Sequence, residues 1–389
     1  MSNNNWPKKP CLAPLTSVMV KPNGRLRPCC WWWQERDDPH ISDTPLIDYK
    51  QGYLKDLYDK MEAGNWPDGC KRCNTKAKSR YHYYEERYSH YRNQHPLSVP
   101  IKTMDLRFGN LCNASCITCN FANSNYFEKV KKQGYFLTED NYITDDERRN
   151  HIQANMDWHE SPEAKHQIIS NLEDVDLLYV TGGEPTINPT FHEILQHLID
   201  AGRASEVTIE LNTNGTNLNG KFLELLDPFK KIILFSVDGY GDLNDAMRFP
   251  TKFSAVEKNI LEFKKIAKRD DFIMITPTIA VFNFFKMPEL FQWATENNIN
   301  IPERLNILSR PYWQNLTMLP QEEFQMGLSK LSEMLPKQTQ ELVTRLANKS
   351  SYKQDPVISY YGENGVLDLT RKWFTSRGYD PKITGMPGI

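Results

Sequence analysis

Three closely spaced cysteines constrain this chain more than any other feature of its sequence. Cys112, Cys116 and Cys119 follow an apolar segment, residues 101–108, and share a loop with Gly109. Three thiolates at this spacing suit an iron–sulfur cluster whose fourth iron has no cysteine ligand and can bind another molecule. A structural zinc ion usually takes four protein ligands, and the loop offers neither a fourth cysteine nor a histidine. The triplet therefore predicts an iron–sulfur cluster with one open coordination position.

Beyond the triplet, predicted strands and helices alternate along the chain. Strands that alternate with helices must pair in parallel through crossover connections. We therefore expect an α/β fold of about six βα units, followed by further helices. The predicted strands span residues 101–108, 176–181, 206–212, 231–237, 272–281 and 304–308, and the predicted helices span residues 121–132, 190–201, 220–226, 254–267, 288–296, 321–335, 338–347 and 366–376.

Four short motifs follow the triplet, in the order of successive βα units. They are Thr181-Gly-Gly-Glu-Pro185, Asn212-Thr-Asn-Gly215, Ser236-Val-Asp-Gly239 and Met247-Arg248. In this order, and with the triplet before them, they resemble the signature of the radical S-adenosylmethionine (radical SAM) superfamily. The resemblance covers about residues 100–310. It implies a partial (βα)6 TIM-like barrel, in which the loops at the carboxyl ends of the strands converge on one ligand.

The resemblance also implies which residues hold the cofactors. Cys112, Cys116 and Cys119 would carry a [4Fe–4S] cluster, whose open iron would be chelated by the amine and carboxylate of S-adenosylmethionine. From the residues alone, Ser236 and Asn214 could instead make turn contacts at strand ends, and Arg248 a surface salt bridge. Under the resemblance, the backbone of Gly182 and Gly183, with Glu184, would receive the amine. Asn214 would line the ribose side, and Ser236 would bond to the ribose or the carboxylate. Arg248 would pair with the carboxylate.

One position departs from the pattern of the family. The residue before the third cysteine is often aromatic there and touches the adenine, whereas in this chain it is Thr118. We expect the adenine to pack instead against Phe121, or against an apolar strand residue such as Val281.

The other cysteines all precede the triplet. Residues 17–29 alternate apolar positions around a Pro-Asn-Gly turn, which predicts a β-hairpin ending at Cys29. Gly69-Cys70-Lys-Arg-Cys73 is a turn that points two thiolates at one ion or cluster. With Cys11, these features resemble the auxiliary-cluster (twitch or SPASM) modules of radical SAM enzymes, although those modules normally follow the barrel. The resemblance implies a second [4Fe–4S] cluster on Cys11, Cys29, Cys70 and Cys73, and a structural zinc knuckle is the alternative interpretation.

Cys30 is the cysteine that the two predicted clusters leave over. A cysteine outside a metal site commonly serves as a small apolar side chain. The alternative roles are a hydrogen-atom donor to a product radical, which would make Cys30 catalytic, or a substitute for Cys29 as a ligand.

Composition narrows the class and the compartment of the protein. A chain of 389 residues exceeds one comfortable core, and we expect an auxiliary module at residues 1–97, the barrel at residues 98–310 and a helical extension at residues 311–389. The net charge of −2 gives no general attraction to nucleic acid or membranes. There is no signal-like or membrane-spanning apolar run. Eight cysteines in such a chain favour metal ligation over disulfides, and a reducing cytoplasm.

Three further segments allow more than one interpretation. Residues 74–96 interleave Tyr with Lys and Arg, a pattern that can bind nucleic acid but is more typical of an amphipathic helix between domains. Residues 134–163 form an acidic insertion with His151, Trp158 and His159, which suits a lid, a partner-binding loop or a solvated insertion. The run Trp31-Trp-Trp33 is either a peptide-binding surface or part of a core.

The activity implied by the resemblance is radical chemistry. One electron from a small reductant protein, flavodoxin or ferredoxin, would cleave S-adenosylmethionine to methionine and a 5′-deoxyadenosyl radical that abstracts a hydrogen atom from the substrate. We favour a peptide or protein substrate, as in ribosomal peptide maturation, and expect no membrane partner. The alternatives are a small-molecule radical dehydrogenase for a sugar, aminocyclitol or amino acid, and a non-enzymatic zinc or iron–sulfur protein that binds nucleic acid. The sequence singles out no general base.

Overall fold

The computed structural model of the chain alternates strands and helices, as the sequence predicted. It describes residues 6–33, 38–74, 79–218, 220–303, 305–332, 334–335, 337–347 and 365–389. Within these ranges the strands are β1 (Ser17–Val20), β2 (Leu26–Arg27), β3 (Thr103–Arg107), β4 (Leu177–Thr181), β5 (Thr208–Thr213), β6 (Lys230–Phe235), β7 (Phe272–Ile275), β8 (Thr278–Ile279) and β9 (Asn306–Ile307).

Helices follow most of the strands, within a few residues of the predicted bounds. In the described residues they are α1 (Ala13–Thr16), α2 (Leu46–Tyr49), α3 (Lys55–Glu62), α4 (Lys71–Asn74), α5 (Arg80–Tyr88), α6 (Tyr126–Lys132), α7 (Asp146–Gln153), α8 (Pro162–Ile169), α9 (Pro189–Asp200), α10 (Gly220–Leu226), α11 (Asp242–Met247), α12 (Phe253–Ile266), α13 (Met287–Glu296), α14 (Gln321–Leu331), α15 (Lys337–Ala347) and α16 (Gly365–Ser376).

Seven of the strands form one sheet, in the order β2-β1-β3-β4-β5-β6-β7. β1 pairs antiparallel with β2, whereas the pairs β1–β3, β3–β4, β4–β5 and β6–β7 are parallel. β8 and β9 pair in parallel in a separate two-stranded sheet. A mostly parallel sheet with intervening helices confirms the predicted α/β fold class, as expected for a partial barrel of βα units.

Contacts group the chain into two compact units. The first comprises the described parts of residues 1–110, 150–211 and 223–231, and the second those of residues 111–149, 212–222 and 232–389. The predicted division into an auxiliary module, a barrel and an extension concerns function rather than packing, and it stays a prediction.

In the first unit, the parallel strands β3, β4 and β5 carry a fully apolar face. Met104 pairs with Leu178 and Leu106 with Val180 along the register, and all four side chains are buried. α9 has the matching periodicity, since its buried side chains recur at helical spacing. Asn188 caps this helix by accepting a hydrogen bond from the Phe191 amide (3.2 Å).

In the second unit, the C-terminal residues pack as helices on the segment after β6. Trp373 of α16 is buried and donates through its indole Nε1 to the Ala246 carbonyl (3.1 Å). Trp313 packs edge-to-face on Phe282, with ring centroids 5.4 Å apart. The helices predicted after residue 320 therefore belong to the core of this unit.

The structure departs from the predicted strands at two places. The hairpin strand β1 is not confined to an N-terminal module, because it pairs with β3 from Ser17↔Thr103 to Val20↔Leu106. All four residues of β1 are buried, which is typical of a strand with neighbours on both sides. The predicted strand 272–281 is divided into β7 and β8 at Pro277, which has no amide hydrogen for a ladder. Residue 304 of the last predicted strand lies outside the described residues.

Trp158 and His159, at the end of the acidic insertion, point into the protein and not into solvent. Trp158 and His159 are buried, and Trp158 donates to the Pro22 carbonyl (2.9 Å) and stacks on Phe108. The neighbouring Gly109 has φ +59°, and a Cβ there would meet the Met156 carbonyl oxygen at 2.2 Å. These two side chains are therefore part of the packed interior of the first unit.

None of the helices described here has both the length and the apolar character needed to span a bilayer.

Candidate metal and cofactor site

The cysteine triplet lies in the second unit, in a segment that we call the cysteine loop (residues 111–120). Backbone hydrogen bonds tie this loop to the end of α11. The Ser115 amide donates to the Phe249 carbonyl (2.7 Å), and the Ile117 amide donates to the Met247 carbonyl (2.7 Å). Arg248 lies between these two acceptors in the sequence, so the pairing fixes Arg248 beside the cysteines.

Two amide side chains from distant parts of the chain also hold the cysteine loop. Asn141 donates through Nδ2 to the carbonyls of Ile117 (3.0 Å) and Cys119 (2.8 Å). Gln314 donates through Nε2 to the Ile117 carbonyl (2.8 Å), and both side chains are buried. The sequence analysis missed both residues, because neither belongs to a motif and neither is near the loop in the sequence.

The three thiols of the loop are near enough to act on one another electrostatically. Burial raises the pKa of Cys119, and its neighbours Cys116 and Cys112 raise it further. The Cys119 amide donates to the Cys116 carbonyl (2.9 Å), which makes a tight turn between these two ligands. Across the described residues, no three His, Cys, Asp or Glu side chains are arranged to hold a single ion. The eight cysteines all lie in the described ranges, and none of them forms a disulfide.

Arg248 is mostly, but not fully, buried near this group of thiols. Its Nη1 donates to Asp238 Oδ2 (2.6 Å), and the other oxygen of Asp238 accepts from the Thr278 amide (2.8 Å). Burial opposes the charge of Arg248, but the Cys116 thiol and Asp238 outweigh it and raise its pKa. Its Nε is buried without a partner in the described residues. A cation with an unused donor, facing three thiols, fits an anionic cluster with a bound carboxylate.

Asn214 and Ser236 also lie in the second unit. Asn214 contacts the cysteine loop, and Ser236 contacts the Asn-Thr-Asn-Gly motif. Asn214 donates through Nδ2 to Asn113 Oδ1 (2.7 Å), and Asn113 donates to the Thr216 hydroxyl (2.8 Å). The Ser236 hydroxyl is 3.4 Å from Asn212 Oδ1, and its amide donates to the Thr213 carbonyl (2.8 Å). The Asn-Thr-Asn-Gly motif is therefore joined to the cysteine loop by side-chain hydrogen bonds.

The Gly-Gly-Glu motif follows β4 in the first unit. Gly182 and Gly183 have φ +91° and +57°, which favours glycine. A Cβ on Gly182 would approach the Cβ of Arg107, the last residue of β3, to 3.0 Å. Glu184 is buried, and its Oε1 accepts from the amide (3.1 Å) and hydroxyl (2.7 Å) of Thr186. The motif thus presents backbone at the carboxyl end of β4, as the sequence predicted.

The residues expected near the adenine are divided between exposed and core positions. Thr118 is partly exposed, whereas Phe121 and Val281 are buried. Phe121 packs edge-to-face on Tyr142 (5.6 Å between ring centroids), and the Val281 amide donates to the Gln314 carbonyl (3.0 Å). Thr118 lies between Ile117 and Cys119, the two residues whose carbonyls accept from Asn141. Val281 is bonded to Gln314, which holds the same loop.

Four N-terminal cysteines surround one cavity within the first unit, which we call the N-terminal cysteine cavity. Burial raises the pKa of Cys11 to about 12. It also raises the pKa of Cys29, Cys70 and Cys73. The Ala13 amide points at the Cys11 sulfur (3.5 Å), a contact common to cluster ligands. The cavity is lined by Cys11, Cys29, Cys70 and Cys73, and by Trp31, Trp32, Trp66, Arg80, Tyr81 and Tyr84 among others.

Cys30 does not line this cavity. The Arg80 guanidinium donates through Nε to the Cys30 sulfur (3.2 Å), and the thiol lies within electrostatic range of Arg107 and Tyr179 on the sheet. Of the two adjacent cysteines, Cys29 lines the N-terminal cysteine cavity and Cys30 does not.

α5 carries most of the tyrosines that suggested a nucleic-acid surface. Tyr84 and Tyr88 are buried, and their hydroxyls hydrogen-bond to Ser17 (2.9 Å) and Thr103 (2.7 Å). Tyr81, Tyr83 and Tyr91 pack against the same core. Rings turned into a core cannot stack on bases, so the helix joins structural elements instead. Lys76 and Lys78 of the same stretch lie outside the described residues.

One protein-family model matches the segment that contains the triplet. The radical SAM superfamily model matches residues 106–293, just under half of the chain. The chain is thus similar to the radical SAM superfamily over these residues. The matched residues span the cysteine loop and all four downstream motifs, and the match ends before the C-terminal helices of the second unit. No curated protein matches the chain significantly.

Solved structures resemble the chain only distantly. Native anSMEcpe with bound AdoMet is 17% identical over 60% of this chain and 60% of its own, with a TM-score of 0.41. Streptococcus suis SuiB bound to the precursor peptide SuiA is 14% identical over 74% of this chain and 59% of its own, with a TM-score of 0.37. The chain thus spans about 60% of the length of anSMEcpe.

Replacing Arg248 by alanine should weaken the binding of S-adenosylmethionine by about 2–4 kcal/mol, because a desolvated carboxylate would lose its guanidinium partner. Anaerobic calorimetry on the iron-loaded protein measures this. Arg248→Lys keeps a charge beside Asp238 and should lose less, while Arg371→Ala removes a half-exposed arginine as a control. Unchanged affinity in Arg248→Ala, with iron content retained, would limit Arg248 to its pair with Asp238.

Proposed function

We propose that the protein is a radical SAM enzyme, with a [4Fe–4S] cluster on Cys112, Cys116 and Cys119 and S-adenosylmethionine on the open iron. The observation that carries this proposal is the cysteine loop within the residues that match the radical SAM superfamily, tied by its backbone to both neighbours of Arg248. When bound, the cluster and S-adenosylmethionine supply one-electron chemistry that removes a hydrogen atom from a substrate carbon.

The residues of the chain would then bind and orient the cofactor. Arg248 would use its unused Nε donor for the carboxylate while Asp238 holds its Nη1. The backbone of Gly182 and Gly183 would accept the close approach of the amine, because neither residue has a side chain. Asn214 and Ser236 would contact the ribose side. Asn141 and Gln314 would keep the loop carbonyls fixed, and so preserve the spacing of the ligands.

A second cluster is proposed for the N-terminal cysteine cavity. Its support is the arrangement of Cys11, Cys29, Cys70 and Cys73 around a single cavity with aromatic walls. Burial disfavours the thiolate forms of these cysteines, whereas a bound metal would favour them. Metal loading would therefore stabilise this part of the first unit. An auxiliary [4Fe–4S] cluster at this position would accept an electron from a product radical or bind substrate.

A peptide or protein is the substrate that we propose, with flavodoxin or ferredoxin as the reductant. Small-molecule dehydrogenation is the second candidate. The nucleic-acid alternative has lost its main support, because the tyrosines of α5 are packed inward. Incubation of the loaded protein with S-adenosylmethionine, dithionite and candidate substrates, followed by anaerobic mass spectrometry, tests the proposal. Formation of 5′-deoxyadenosine supports it, and its absence from fully loaded protein contradicts it.

Cys30 is proposed as a hydrogen-atom donor to the substrate-derived radical. The thiol would give up its hydrogen atom, forming a new carbon–hydrogen bond, and one electron and one proton through the reductant would restore it. Because thiol hydrogens exchange with water, product made in deuterated buffer should carry deuterium. In Cys30→Ala and Cys30→Ser, cofactor cleavage should persist while this product is lost, as mass spectrometry will show. Unlabelled product, formed equally well by both variants, would leave Cys30 a packing residue.

A further inference from the structure

The five residues 245–249 include the buried arginine of the candidate site, and we call them the arginine segment. Two of their backbone carbonyls accept hydrogen bonds from amides of the cysteine loop. Other groups of the segment are the Asp245 carboxylate, the Ala246 carbonyl and the Phe249 ring. All three contact residues 373–379, at the end of α16 and just beyond it. The arginine segment is therefore held by the cysteine loop and by the C-terminal residues at the same time.

Trp373 and Tyr379 bond to the first two residues of the arginine segment. The Trp373 indole Nε1 donates to the Ala246 carbonyl (3.1 Å), and this side chain is fully buried. The Tyr379 hydroxyl donates to Asp245 Oδ2 (3.4 Å) and accepts from Lys252 (2.6 Å). Because Asp245 and Ala246 lie in the last turn of α11, these bonds fix where that helix ends and how the chain leaves it.

Arg377 holds the ring of Phe249 at the other end of the segment. Its guanidinium carbon lies 3.4 Å from the centroid of the Trp373 ring and 5.5 Å from the centroid of the Phe249 ring. The Tyr135 ring completes the group, with its centroid 4.8 Å from that of Phe249 and 5.6 Å from the guanidinium carbon. Aromatic rings attract a cation placed over them. Arg377 thus joins the C-terminal residues to the side chain that directly follows Arg248.

The burial of Arg377 is unfavourable for the stability of the fold. Its Nη1 donates to the carbonyls of Phe136 (3.2 Å) and Trp373 (3.2 Å), but its Nε and Nη2 are buried without a partner in the described residues. Arg92 and Arg107 use the same two nitrogens to bind a carboxylate. Burial lowers the pKa of Arg377. A buried cation without an anionic partner destabilises a protein, so stability alone does not account for this arginine.

We propose that Trp373 and Arg377 are positioning residues for Arg248. They hold the arginine segment against the cysteine loop, so that the Arg248 guanidinium is in place before the cofactor arrives. They act through Arg248 and make no contact with the cofactor themselves. The inference rests on the proposed function, because it concerns how Arg248 pairs with the carboxylate of S-adenosylmethionine. It gives the C-terminal helix a part in the cofactor site, although this helix lies beyond residues 106–293, which match the family model.

Anaerobic calorimetry of S-adenosylmethionine binding to the iron-loaded protein tests this, together with the melting temperature of each variant. Arg377→Met retains a long side chain but removes the charge and the planar guanidinium. We expect it to weaken binding about tenfold, because outer residues that orient a binding group commonly contribute this much. Its melting temperature should equal or exceed that of wild type, because an uncompensated buried charge is removed. Trp373→Phe should also weaken binding, since it removes the indole N–H that the Ala246 carbonyl accepts.

Phe374→Leu is the matched control, since Phe374 is buried in the same helix and packs on Phe282 (6.2 Å between ring centroids). At equal iron content, it should lower the melting temperature and leave the affinity unchanged, and Arg377→Lys, which keeps the cation, should bind better than Arg377→Met. Wild-type affinity in both Arg377→Met and Trp373→Phe overturns the inference, and so does an equal loss of affinity in Phe374→Leu. Wild type that holds its iron but binds no S-adenosylmethionine would instead contradict the proposed function.

Discussion

Protein in which Cys112, Cys116 and Cys119 are all alanine will form 5′-deoxyadenosine only at the background rate, whereas reconstituted wild type will form it under dithionite. The cysteine loop contains no other cysteine and no histidine, so no other side chain there can replace the three thiols as cluster ligands. Chromatography of the quenched anaerobic reaction measures the product. Cys30→Ala is the matched control, because it removes a cysteine from the first unit and leaves the cysteine loop intact.

Two results would contradict this expectation. Cofactor cleavage by the triple variant at the wild-type rate would remove the triplet from the chemistry. Wild-type protein that carries its full iron and sulfide but forms no 5′-deoxyadenosine would remove radical SAM chemistry from the protein.

Iron content should separate the two cysteine groups. Wild type should hold about eight irons per chain if both clusters are [4Fe–4S], and the triple variant about four. Substitution of Cys11, Cys29, Cys70 and Cys73 by alanine should remove the other half and leave cofactor cleavage measurable. Metal and sulfide analysis of anaerobically purified protein gives these ratios.

Zinc without sulfide in the triple variant would assign the N-terminal cysteine cavity to a structural knuckle. A cavity with four buried thiols accommodates either metal, but only a cluster gives visible absorbance and acid-labile sulfide. Zinc and an iron–sulfur cluster would also differ in function, because zinc cannot take up an electron from a product radical.

Much of the fold was predictable because its signals are local. The triplet, the glycine-rich strand ends and the alternation of apolar segments each need only a few neighbouring residues, and the strands and helices lie within a few residues of their predicted bounds. The partners of the site were not predictable. Asp238 holds Arg248, and Gln314 holds the cysteine loop from almost two hundred residues away. Such pairs depend on the tertiary fold and leave no pattern in a single sequence.

The N-terminal cysteines show where local reasoning ends. The spacing of Cys70 and Cys73 predicted a metal-binding turn, but Cys29 and Cys30 are adjacent and equivalent in the sequence. In the structure they differ, because Cys29 lines the N-terminal cysteine cavity and Cys30 accepts a hydrogen bond from Arg80.

The pairing of β1 with β3 has a consequence for how such a protein can evolve. A chain without residues 1–97 would leave β3 as a bare edge, with unpaired backbone groups along a strand that otherwise lies inside the sheet. Edges of this kind recruit other chains and promote aggregation. The N-terminal segment is therefore not a detachable accessory, and a lineage could lose its cysteines one by one far more easily than it could lose the segment itself.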